Sequence, residues 1–267
     1  METVQAILLA VLQGMVEFLP ISSSGHLILV PALLGWPYQG LAFDIAVHLG
    51  TLTAVIAYFR RDLLAILVAM AGAGGPQARL GWSVIIASVP VAIAGLLFSG
   101  MIESGLRSAG AIAAATGGFG LLLWFADRYK RERLSETQLR LAPLLVIGLC
   151  QVLALIPGTS RSGITMTAGL ALGLTRTAAS RFSFLLAIPA LGMAAGWQLW
   201  QFSIGTEPVP WATLGLATAV SAVTAFSVIA VFLRVIERIG FWAFAVYRLG
   251  LAALIVYVLP LDHVITG

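Results

Sequence analysis

Ten apolar runs follow one another along the chain, and their lengths decide what it can fold into. Six of them, Leu41–Phe59, Gly81–Gly100, Ala109–Ala126, Phe182–Phe202, Trp211–Leu233 and Phe241–Leu261, approach the length of about 20 residues that a helix needs to cross a bilayer. In hydrocarbon every backbone N–H and C=O must be satisfied internally, so only helices or a closed barrel can span it. The runs are continuously apolar rather than alternating, which excludes the barrel. Charged residues make up only 10% of the 267, against about a quarter in a soluble domain. The chain reads as an all-α polytopic membrane protein.

The other four runs are too short to span, and they pair: Val4–Leu19 with Leu27–Leu34, and Leu141–Ile156 with Ile164–Leu174. Pro20-Ile-Ser-Ser-Ser-Gly25 splits the first pair and Pro157-Gly-Thr-Ser-Arg-Ser-Gly163 the second, the pattern of re-entrant hairpins. Cytoplasmic loops carry the excess of Arg and Lys. That rule places Arg60, Arg61 and Arg79 inside, with Arg128, Lys130, Arg131, Arg133 and Arg140, and with Arg234 and Arg238 in a turn before Phe241. The connections around Glu103 and Glu207 then face outward, the second hairpin belongs to the cytoplasmic side, and the first hairpin and the N-terminus lie outside.

The expected architecture is one integral-membrane domain, an inverted-topology repeat in which each half is a re-entrant hairpin plus three transmembrane helices. The halves, 1–126 and 141–261, are joined by a cytoplasmic loop, 127–140, read as an exposed loop or short surface helix. Gly72–Pro76 reads as a flexible turn. Broken helices of paired repeats bring their tips together near the midplane, so Glu17 and His26 are expected near Arg161. The net charge of +4 comes from basic residues in short loops, not from a patch for nucleic acid. Cys150 is the single cysteine and forms no intramolecular disulfide. The first apolar segment lacks a basic region before it and is expected to be retained. Trp36, Trp200 and Trp211, near segment ends, read as interface anchors.

The chemistry collects at the two tips. Gln13 and Glu17 are four apart and share a helix face. An ionisable residue inside a membrane segment is a functional candidate by default. After Pro20, the serines Ser22, Ser23 and Ser24 with Gly25 resemble an anion-binding nest before a helix starting at His26 or Leu27; the alternative is that they only cap that helix. In the second tip Arg161 stands among Thr159, Ser160, Ser162 and Thr165, the donors a phosphate needs; the alternatives are a snorkelling arginine or a structural ion pair with Glu17. Carboxylate, imidazole, hydroxyls and guanidinium together are components of phosphoryl transfer. Glu17, with Gln13, is a candidate ligand pair for a divalent cation. His26 is a candidate general base, general acid or nucleophile, and a serine from Ser22 to Ser24 is the competing nucleophile. Asp44 and His48, at i and i+4, read either as partners of the first tip or as a mutual pair at a helix end. His263 has no assigned chemistry.

At these residues the chain resembles a known family. QGMVEFLPISSSGH, residues 13–26, is similar to the (Glu/Gln)-x-x-x-Glu and Ser-Ser-x-Gly-His motifs of the bacterial undecaprenyl-diphosphate phosphatases of the bacitracin-resistance type. PGTSRSGIT, residues 157–165, is similar to that family's Pro-Gly-x-Ser-Arg-Ser-x-x-Thr, and the likeness runs the whole chain. The resemblance implies hydrolysis of undecaprenyl diphosphate to the monophosphate and phosphate, recycling a carrier lipid for peptidoglycan synthesis, with bacitracin resistance at raised enzyme levels. It implies catalytic roles for Glu17, Ser23, His26 and Arg161; the phosphate contacts expected from the residues themselves are Ser22, Ser24, Thr159, Ser160, Ser162 and Thr165. It also implies a divalent cation, Mg2+ or Ca2+, at Glu17 and Gln13, and a multi-pass location in the bacterial cytoplasmic membrane. A polyprenyl diphosphate lipid and the surrounding lipids are the expected partners, nucleic acid is not, and a homodimer is compatible. Gln13 stands where many relatives have a second Glu, and His48 where relatives often have Gln. The competing class is a carrier or polyprenyl-phosphate flippase, because inverted repeats with broken helices also build transporters; a carrier has less need of carboxylate, imidazole and hydroxyl held together. A purely structural scaffold is the third reading, and the buried charges oppose it.

Overall fold

The computed structural model describes residues 3–37, 39–105, 108–129, 134–203 and 210–260. Lys130, Arg131, Arg133, Glu207 and His263 lie outside the described residues, as does the side chain of Glu103. Eleven α-helices make up the described fold: α1 (Thr3–Val16), α2 (Ser23–Leu34), α3 (Leu41–Tyr58), α4 (Arg60–Val68), α5 (Gly75–Gly105), α6 (Ala109–Arg128), α7 (Leu141–Val152), α8 (Arg161–Ala171), α9 (Arg176–Ser203), α10 (Trp211–Ile239) and α11 (Trp242–Val258). Five of them, α3, α5, α6, α9 and α10, are long and apolar enough to cross a membrane. The sixth expected span, α11, has 17 helical residues because the helix stops before Pro260.

Helices outrun the apolar runs wherever backbone bonding continues past the hydrocarbon-like stretch. α9 begins at Arg176, not Phe182, and α10 runs on to Ile239, so Arg234 and Arg238 are helical and not in a turn. α5 starts at Gly75 with Pro76 in its first turn, where a missing N–H costs nothing. The turn expected at Gly72–Pro76 is therefore confined to the glycines. The segment after Phe59 is not a loop: Arg60–Val68 is helical and leaves Leu64, Leu67 and Val68 more than 60% exposed, an apolar face for lipid. The polar run Asp127–Arg140 is not simply solvated either. Asp127 is buried, accepts from Arg176 at 2.7 and 3.1 Å and from the Phe241 N–H at 3.0 Å, and so ties α6, α9 and α11. Glu136, in a 3-10 turn, and Asp62 of α4 both hold Arg181 at 2.8 Å.

The main core is formed by α3, α5, α7, α8, α9 and α10 around Phe18, Phe59, Phe182, Phe184 and Phe232. Within it α3 lies along α10, with α1 on α10 beside it; α7 lies along α5, and α6 along α11. Glycine permits the closest approaches. A Cβ on Gly50 would stand 2.4 Å from the Thr218 carbonyl oxygen, and one on Gly14 would stand 2.7 Å from that of Ser221. Both α1 and α3 are thereby seated on one surface of α10. Gly50→Ala is expected to destabilise the protein by about 1–3 kcal/mol through overpacking, read as a lower thermal midpoint in detergent. Gly215→Ala, on α10 with open space around it, is the control expected to leave that midpoint unchanged or higher.

Candidate active site

The two tips are built alike. Ser22 and Ser160 are the described non-glycine residues with positive φ, 73° and 69°, and each precedes a helix. Each caps that helix by accepting from the third N–H, Gly25 at 3.4 Å and Gly163 at 3.1 Å. Each also pairs with the hydroxyl two residues on, Ser24 at 3.2 Å and Ser162 at 3.1 Å. Capping moves the helix starts back from the apolar boundary: α2 begins at Ser23 rather than His26 or Leu27, and α8 at Arg161 rather than Ile164. α1 ends at Val16, ahead of Pro20, so Glu17 sits in the turn, its N–H bonded to the Gln13 carbonyl at 3.1 Å.

The tips meet, as the sequence suggests. The Ser162 hydroxyl donates to the Leu19 carbonyl at 2.9 Å, and the Gly158 N–H to the Ser24 hydroxyl at 3.4 Å. Arg161 Nη2 donates to Glu17 Oε1 at 3.1 Å and Nη1 to the Ser183 carbonyl at 3.1 Å. Gln13, wholly buried, gives its Nε2–H to Glu17 Oε2 at 2.9 Å, while its Oε1 is buried with no partner among the described residues. His48 of α3 places Nε2 3.9 Å from the same Oε2, which joins it to the first tip; its Nδ1 lies 2.7 Å from the Asp44 carbonyl. Ser23 makes no side-chain hydrogen bond among the described residues. Thr159 is buried with an unpartnered hydroxyl. Thr165 is turned away, its hydroxyl engaged by the Arg161 carbonyl and Ser183 Oγ, each at 2.8 Å.

His26 stands apart from the Glu17–Arg161 pair. Its Nδ1 is 2.7 Å from the Ser22 carbonyl and its Nε2 2.6 Å from the Tyr247 hydroxyl, with the two rings stacked at an interplanar angle of 4°. A carbonyl only accepts, so Nδ1 carries the proton, and in the neutral ring Nε2 accepts from Tyr247. Tyr247 escaped the sequence reading, and so did its neighbour Arg248. Arg248 is 0% exposed and has five carbonyls within hydrogen-bond distance: Thr116 at 2.8 Å, Thr159 at 2.9 Å, Gly158 at 3.0 Å, Pro20 at 3.3 Å and Ala115 at 3.4 Å. It bonds both tips to α6. A Cβ on Gly163 would stand 2.8 Å from Arg248 Nη1, so glycine there admits the guanidinium. The signal was present: Arg248 is the one charged residue of Phe241–Leu261, and the reasoning that singles out Glu17 applies to it equally.

No group of three or more His, Cys, Asp or Glu suited to a metal occurs among the described residues. The donor set nevertheless suits a hard cation completed by substrate oxygens, because the unpartnered Gln13 Oε1 lies on the amide bonded to Glu17.

Fold and site together define a polytopic helical membrane protein with a polar centre where two serine-rich, capped helix starts converge. A family model described as bacitracin resistance protein BacA matches residues 6–254. The chain is 50% identical over 260 residues to an undecaprenyl-diphosphatase of Teredinibacter turnerae, covering 96% of this chain and 98% of that protein. It is 49% identical over 266 residues to undecaprenyl-diphosphatase 1 of Pseudoalteromonas translucida, covering 98% of this chain and all of that protein. The chain belongs to the BacA family.

Arg248→Lys keeps the charge but loses the planar fork. It is expected to cost about 3 kcal/mol or more through unpaired tip carbonyls, lowering the thermal midpoint in detergent far more than Arg79→Lys at an exposed site.

Proposed function

We infer that this chain is an integral-membrane hydrolase that converts undecaprenyl diphosphate to undecaprenyl phosphate and inorganic phosphate, recycling the carrier lipid for peptidoglycan synthesis and giving bacitracin resistance. Near-full-length identity to named undecaprenyl-diphosphatases supports the substrate. The observation that carries the chemistry is the Arg161–Glu17 contact between tips. A guanidinium has five N–H donors; with one directed to Glu17 and one to Ser183, Arg161 keeps three for phosphate oxygens. The starts of α2 and α8, where backbone N–H groups are free of intrahelical partners, favour the same anion.

In this mechanism Arg161 and hydroxyls from both tips, Ser22, Ser24, Thr159 and Ser160, orient the terminal phosphate and stabilise charge as it develops, while Ser162, whose proton goes to the Leu19 carbonyl, joins the tips. Thr165 acts only through Ser183 and the α8 backbone. Ser23, with its uncommitted hydroxyl, is favoured as nucleophile over His26, whose ring nitrogens are both engaged. His26 Nε2, exchanging its bond to Tyr247, takes the Ser23 proton as Oγ bonds to the terminal phosphorus and the bridging P–O bond breaks, releasing undecaprenyl phosphate. Water then hydrolyses the phosphoserine, inorganic phosphate leaves and Ser23 is restored. A divalent cation, Mg2+ or Ca2+ by analogy with the family, would be held by Gln13 and Glu17 and would supply charge neutralisation on the diphosphate.

We further infer one membrane domain, an inverted repeat with halves 1–126 and 141–261, each a re-entrant hairpin followed by three spans, placed in the cytoplasmic membrane with the N-terminus outside. In its support, Ser22 and Ser160 share backbone conformation and capping. Gln13 and Gln151, both wholly buried, each precede that serine by nine residues. α1 packs on α10 as α7 packs on α5, the second spanning helix of the opposite half in each case. A homodimer is compatible with this arrangement.

The test is phosphate release from undecaprenyl or farnesyl diphosphate by purified protein in detergent, with and without Mg2+. Glu17→Ala, Ser23→Ala and Arg161→Ala are each expected to lower kcat/KM by at least about 100-fold. Equal release by wild type and variants would place the chemistry elsewhere.

A further inference from the structure

We propose that His48 supplies an imidazole nitrogen to the divalent cation that Gln13 and Glu17 would hold. The inference rests on the proposed cation at Glu17 and names a ligand that the chain's motifs do not contain.

His48 Nδ1 is 2.7 Å from the Asp44 carbonyl one turn back in α3; the carbonyl only accepts, so Nδ1 bears the proton and Nε2 of the neutral ring is an acceptor. That Nε2 lies 3.9 Å from Glu17 Oε2, itself an acceptor. Gln13 donates its Nε2–H to the same carboxylate oxygen and is left with Oε1 buried and unpartnered. His48 Nε2 and Glu17 Oε2 thus face each other as two acceptors, on the side of a carboxylate whose other oxygen is already satisfied by Arg161, while Gln13 reaches the same Oε2 through an N–H. Acceptors gathered this way repel unless a proton or a cation lies among them. An imidazole that donates its remote N–H to a backbone carbonyl has the arrangement usual for metal-ligating histidines, fixed in tautomer and ring orientation.

The scaffold holds the set in place. Gln13 and His48 sit on α1 and α3, both seated on α10 through the close approaches at Gly14 and Gly50. The His48 side chain is 27% exposed against 5% for Glu17, so an ion reaches the set from the His48 side.

Mn2+ is the probe, added to the full-length protein purified in detergent without a polyhistidine tag and examined by pulsed electron paramagnetic resonance. A directly bound imidazole imposes 14N modulation on the echo. Wild type is expected to show it, and His48→Gln to lose it while binding Mn2+ at least about tenfold more weakly. Absence of 14N modulation in wild type overturns the assignment; it is also the result for a protonated His48 simply ion-paired with Glu17. Modulation that persists in His48→Gln overturns it as well. Should the variant fail to fold, His26→Gln decides: its 14N modulation must persist, and its loss refutes the assignment to His48. Phosphate release separates this inference from the function it rests on. Release without nitrogen coupling removes only His48, whereas nitrogen coupling without release supports His48 and removes the diphosphatase reading.

Discussion

Unwound backbone at membrane depth needs hydrogen-bond partners that lipid cannot give, and in this fold Arg248 supplies them to both tips at once. Its carbonyl partners come from Pro20 of the first tip, Gly158 and Thr159 of the second, and Ala115 and Thr116 of α6. No carboxylate is among them. A buried cation without a counter-charge is costly, and the convergence of carbonyl dipoles on one planar fork is what offsets the cost. Because one side chain closes all five contacts, the two tips have a single relative placement.

Charge is thereby partitioned. With Arg248 committed to backbone, Arg161 is the guanidinium left to balance Glu17, and it reaches that carboxylate from the opposite tip. Glu17 divides its two oxygens: Oε1 faces Arg161, and Oε2 faces Gln13 and His48. One carboxylate thus has a cationic side suited to holding a phosphate and a second side on which a donor amide and an imidazole nitrogen meet. The same division explains how a membrane site with one acidic side chain at its centre can serve a diphosphate, whose own oxygens complete whatever cation the protein only half coordinates.

The helical membrane class was legible because the hydrocarbon thickness acts on run length, and the joining of the tips was legible because broken apolar runs have few places to put polar backbone. Glu17 and Arg161 were readable by their cost. Three other features were not. Helix α4 looked like a loop because its charged start masks an apolar remainder that lies exposed. Asp127 looked solvated because its partners, Arg176 and the Phe241 N–H, are distant in sequence. Arg248 carried the same signal as Glu17, yet a lone arginine between good helix formers offers no neighbouring motif to draw attention, and its carbonyl partners belong to backbone that has no sequence signature.

The matched serines Ser22 and Ser160 indicate why these tips use serine where glycine would fit the backbone with less strain. A non-glycine residue at φ near +70° costs of order 1–3 kcal/mol. Glycine would remove that cost but also the Oγ that caps α2 or α8 and links to Ser24 or Ser162. A cap contributes about 1 kcal/mol, and the second hydroxyl contact adds to it, so strain and bonding come close to balance. What the serine adds beyond that balance is direction: Oγ of each cap fixes the hydroxyl of the serine two residues on, Ser24 or Ser162, and those hydroxyls make the crossings from one tip to the other. The strain therefore sits in the two residues that orient the site, and it is held there by the contacts that join the tips.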